Sequence, residues 1–86
     1  MPFTFTIEKP DADSKKVFQK LKEMIEKEGG FISGDDKKGF ISSDGVEGDY
    51  VVGTKSIEIL IRKKPMLYPE FAVERHIRSV FHEASS

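Results

Sequence analysis

Apolar and polar residues alternate from Phe3 to Glu8, with Phe3, Phe5 and Ile7 on one side. Period-two alternation predicts a strand with one buried face. Pro10 ends it, and Asp11, Asp13 and Ser14 offer side-chain oxygens that can cap a following helix. The period then changes. Val17, Leu21, Met24 and Ile25 fall at i, i+4, i+7 and i+8, one face of a helix predicted over about 14–28, and Phe18 widens the stripe. Lys22–Glu26 and Glu23–Lys27 support the wet side. Gly29-Gly30 is a strong stop.

Short strands separated by turns follow. Phe31-Ile32-Ser33 and Phe40-Ile41-Ser42-Ser43 flank the polar connection Gly34–Gly39. Asp44-Gly45 is a favoured two-residue hairpin turn, since both positions need positive φ. Val46 to Val52 is the next strand, with Val46, Gly48, Tyr50 and Val52 on one face; Ile57 to Lys63 is the last, with Ile57, Ile59 and Ile61 on one face. Gly48, inside a strand, predicts a bulge or a close helix contact. Lys64 to Pro69 contains two prolines and reads as an extended connection, with Pro69 suited to a helix start. Phe71, Val73, Ile77, Val80, Phe81 and Ala84 mark a second amphipathic helix to about Glu83, and residues 84–86 are expected to fray.

The order strand, helix, four strands, helix gives an α+β fold. Two helices with one apolar stripe each need a shared surface, so the prediction is a two-layer sandwich: a mostly antiparallel sheet in the order β-α-β-β-β-β-α with both helices on one face. At 86 residues the chain is one small domain. Leu, Ile, Val and Phe supply 24 of those residues, which clears the ~20% level below which a highly charged chain stays unfolded.

Charge and chemistry narrow the function by exclusion. A net charge of −1 disfavours a polyanion binder, so no nucleic-acid partner is expected. Without cysteine there is no disulfide, thiol nucleophile or thiolate metal site. No apolar run spans a bilayer, and a cytoplasmic location is expected. His76 and His82, six residues apart, lie about 600° apart around a helix and do not form a metal pair; both read as surface histidines. Asp35, Asp36, Asp44, Glu47 and Asp49 lack calcium-loop spacing and read as solvated turn residues. The basic runs Lys15-Lys16 and Arg62-Lys63-Lys64 read as solvated or edge-protecting charge. No catalytic, metal or cofactor-binding residue is nominated, and no cofactor is expected.

One feature exceeds this background. If Phe31, Phe40, Tyr50 and Ile59 face the helices, then Ile32, Ile41, Val51 and Leu60 form an apolar stripe on the outer sheet face. A sheet covered on one side is expected to be mostly polar on the other, so that stripe, with Met66, Leu67 and Tyr68 of the proline-flanked connection, is the candidate interaction surface.

The strand, the lysine-rich first helix, the run Asp44-Gly45-Val46-Glu47-Gly48-Asp49, the apolar strand Ile57–Ile61 and the closing helix around Glu74 to Phe81 resemble the polyhydroxyalkanoic acid system proteins. The resemblance covers most of the chain and centres on Gly-Val-x-Gly at Gly45 to Gly48. It implies a small domain encoded beside polyester-storage genes and associated with storage granules, with no catalytic residues to carry over. The expectation is therefore a non-catalytic interaction domain that meets a protein partner or a second copy through the outer sheet face. The alternative is a small apolar-ligand binder of reduced helix-grip type, its ligand between the last helix and the sheet.

Overall fold

A computed structural model describes residues 2–11 and 13–85. The chain runs β1 (Phe3–Glu8), α1 (Ser14–Lys27), β2 (Phe31–Gly34), β3 (Lys38–Ser43), β4 (Val46–Val52), β5 (Ser56–Lys63) and α2 (Glu70–Ala84). This is the predicted α+β order. The sheet has five strands in the spatial order β1-β5-β4-β3-β2, and every neighbouring pair is antiparallel. Three successive hairpins build β2 to β5, while α1 carries the chain from one sheet edge, β1, to the other, β2.

Local chemistry sets the boundaries. Of the three candidate caps, Asp13 takes the role: its carboxylate accepts from the Lys15 N–H at 3.0 Å. Asp44 at φ 53° and Gly45 at φ 80° form the left-handed pair that the tight β3–β4 hairpin needs. The β2–β3 connection is shorter than expected, only residues 35–37. One Asp35 carboxylate oxygen accepts from the N–H groups of Lys37 (2.8 Å) and Lys38 (3.0 Å), which folds the chain back at once. Those two bonds hold the Asp35 carboxyl below its usual range. Pro69 caps α2 in extended backbone, one residue before the helix. The β4–β5 ladder shifts register between Glu47 and Gly48, the bulge that an interior glycine predicts.

A single core lies between the sheet and the helices. Phe5, Ile7, Ile57, Ile59, Ile61, Tyr50 and Ile32 project from the strands; Val17, Leu21 and Ile25 come from α1, and Val73, Phe81 and Ala84 from α2. Ala84 is thus packed, not frayed; Ser86 lies outside the described residues. Phe71 begins the predicted stripe of α2 but stands 67% exposed.

The outer stripe needs correction. Ile32 is 4% exposed, a core residue, and Ile41 packs against the core, whereas Phe31 is 56% exposed. The cause is register. The two-residue turn pairs Ser43 with Val46, hence Ile41 with Gly48 and Gly39 with Tyr50. Opposed residues share a face, so the inward Gly48 and Tyr50 draw Ile41 and Gly39 inward and turn Phe40 outward. The β2–β3 ladder pairs Ile32 with Ile41 and carries the same parity to the edge. Val51 is exposed and Leu60 half-buried on the outer face. With them are Phe31 and Phe40, whose ring centroids lie 6.5 Å apart.

Candidate functional site

The inner face leaves a mostly apolar gap. Between α2, the C-terminal half of α1 and the β3–β4 hairpin lies an apolar cavity of about 280 Å³. Leu21 and Ile25 of α1 form one wall. Val73, Ile77 and Val80 of α2 form the facing wall, and Ile41 and Val46 the floor. Amphipathic spacing explains the walls, since each helix points its stripe inward. The floor follows from the hairpin register that turns Ile41 toward the helices.

The mouth is polar. Glu28 caps the C-terminus of α1, Asp44 sits in the β3–β4 turn, and His76 lies on α2; all three line the cavity and are exposed. One ligand atom from each lies within 4.8 Å of the other two. The Arg62–Asp49 and Arg78–Glu74 ion pairs lie elsewhere, and the basic group beside the two mouth carboxylates is the His76 imidazole. The arrangement can grip the polar end of a molecule whose body lies among aliphatic side chains.

Tyr68 closes one side of the cavity. Its N–H donates to the Pro65 carbonyl at 3.1 Å, and Lys64 Nζ donates to the Tyr68 carbonyl at 2.7 Å, so the connection before α2 folds back on itself. Met66 and Leu67, at 96% and 92% exposure, project into solvent from the same turn.

The residues named in the sequence therefore divide. Ile41 and Tyr68 line the cavity, Ile32 is interior, Val51 and Leu60 remain on the outer face, and Met66 and Leu67 stand alone at the α2 entrance. Sequence reasoning missed the trio at the mouth. Helical spacing relates His76 only to residues of its own helix, but its neighbours come from 48 and 32 positions away in two other elements. Helical spacing carries no signal for such a meeting; only the hairpin register and the end of α1 bring the groups together.

No family model, curated protein or solved structure matches the chain. Among the described residues no helix is long and apolar enough to cross a membrane.

Proposed function

We propose that this protein is a binding domain for a small molecule with an apolar body and a polar end. The cavity of about 280 Å³ carries the reading. The cavity opens to solvent through its polar mouth, while aliphatic side chains of both helices and the hairpin form its walls and floor. Water in an aliphatic cavity finds few of the two to four polar partners it needs. The volume is close to the ~300 Å³ lower end of small-molecule sites, which are mostly apolar with a few convergent polar groups. A short alkyl chain or a single ring fits this description. The resemblance to polyhydroxyalkanoic acid system proteins supports a setting beside polyester-storage enzymes.

A fluorescent medium-chain alcohol probe tests the reading, since its neutral hydroxyl can donate to the mouth carboxylates where an anionic head is repelled. Expected is saturable one-to-one binding, displaced by the unlabelled alcohol and lost in Ala72→Phe. Ala72 lines the cavity and is only partly exposed, so the larger ring fills the space while the helix persists. Weak non-saturable binding, unchanged by Ala72→Phe, rejects the reading.

A second reading, self-association through the outer sheet face, draws support from the apolar group Phe31, Phe40, Val51 and Leu60 on a face that neither helix covers. It does not compete for the same residues as the cavity.

A further inference from the structure

We propose that Glu28, Asp44 and His76 form a binding site for a divalent transition-metal ion of the zinc type. The donor set is two carboxylates and one imidazole, from the end of α1, the β3–β4 turn and the second turn of α2. Carboxylate and imidazole are both ordinary zinc ligands, at about 2.0–2.2 Å. Two such ligands on a tetrahedral ion stand about 3.4 Å apart. The three ligand atoms already lie within 4.8 Å of one another, so a closure of at most about 1.4 Å on three exposed side chains completes the geometry. Rotamer adjustment of surface residues supplies that without moving backbone.

Charge points the same way. Two carboxylates within 4.8 Å of each other repel, and a doubly charged cation neutralises both where the single imidazole beside them can offset at most one. The imidazole separates a transition metal from magnesium or calcium, which prefer oxygen ligands only. Three protein ligands leave a fourth position open, the pattern of zinc sites that engage a further molecule. All three ligands line the cavity, so that position is available to water or to an oxygen at the polar end of an occupant. This last step alone rests on the proposed ligand function; the metal site does not.

Isothermal titration of the full chain with zinc, after chelator treatment, tests the site, with cobalt absorption reporting coordination. Expected is one ion per chain and an intense cobalt visible spectrum of tetrahedral type. His76→Ala and Asp44→Asn should each weaken binding at least tenfold, while His82→Gln binds as the parent does. Asn tolerates the left-handed backbone of position 44, so the turn survives. Circular dichroism verifies that each variant is folded. Absence of saturable binding, or equal affinity in the parent and a folded His76→Ala, overturns the proposal. The fluorescent alcohol probe, titrated with and without zinc, reports on the cavity separately, so either idea fails without the other.

Discussion

Tyr50 shows how much one side chain determines. It is buried to 2% exposure, its hydroxyl donates to the Asp35 carbonyl at 2.6 Å, and its ring lies edge-on to Phe81. It therefore ties the β2–β3 turn, β4 and α2 together. It also helps to explain Gly39: a Cβ built there would meet the Ser33 carbonyl oxygen first and then the Tyr50 hydroxyl oxygen at 2.6 Å, so strand β2 and the ring together occupy the space a side chain would need. Burial, then the nearby charges of Asp35 and Asp36, push the Tyr50 hydroxyl up to about 12. In the unfolded chain the proton leaves near pH 10. Between those values the native state holds a proton that the unfolded state has released. The stability linked to this group is thus whole below about pH 10 and is lost as pH rises through about 12. Tyr50→Phe should cost about 0.5–1.5 kcal/mol at neutral pH through the lost hydrogen bond. It should also flatten the alkaline decline, which urea titrations at pH 8 to 11.5 measure. A parallel decline in both proteins removes Tyr50 as its source.

At the scale of elements, the two helices differ in what their apolar stripes touch. Leu21 lies mid-stripe on α1 at 2% exposure, whereas Ile77, mid-stripe on α2, is only partly buried and faces the cavity. Leu21→Ala should cost about 2–5 kcal/mol, a large share of the roughly 5–15 kcal/mol that holds a domain together. Ile77→Ala should cost less, near 1 kcal/mol, because part of that side chain has no packed neighbour to lose. Chemical denaturation of the two variants checks the order, and an equal loss would mean the cavity wall is packed. The helices and the chain order of the elements were readable because the helices, β1, β4 and β5 each have one clear period and the breaks fall at prolines, glycines and aspartates. The facing of β2 and β3 was not, since both strands carry two apolar residues in succession, Phe31-Ile32 and Phe40-Ile41. Alternation cannot choose between such neighbours. The hairpin could: a two-residue turn at Asp44-Gly45 forces Ile41 opposite Gly48, and that pairing was latent in the sequence. The mouth trio stayed hidden for a different reason. It depends on where the end of α1 arrives over the hairpin, a matter of packing in three dimensions.

At the scale of the molecule, both helices use the inner face, and among the described residues no element covers the outer one. That face carries Thr4, Thr6, Glu58 and the Arg62–Asp49 ion pair at 2.6 Å, which suit water. It also carries Phe31, Phe40, Val51 and Leu60, which do not. Phe40 and Leu60 both lie opposite Asp49 in the ladders, so the apolar group runs from the β2 edge toward β5 with the ion pair within it. A symmetric dimer is the commonest closed assembly and brings the same patch from both copies together. Covering a few hundred Å² per copy at about 25 cal/mol per Å² yields several kcal/mol before the cost of association. The expected dimer is therefore weak, at micromolar to millimolar concentration. Phe31→Lys combined with Val51→Lys should leave the fold unchanged, because both side chains are more than half exposed. Four added positive charges across the two-fold axis would then oppose association. Sedimentation equilibrium should find the parent in concentration-dependent exchange and the double variant monomeric throughout. A parent that stays monomeric at millimolar concentration, or a double variant of unchanged mass, would remove the outer face as a contact. Neither result would touch the cavity on the other side of the sheet.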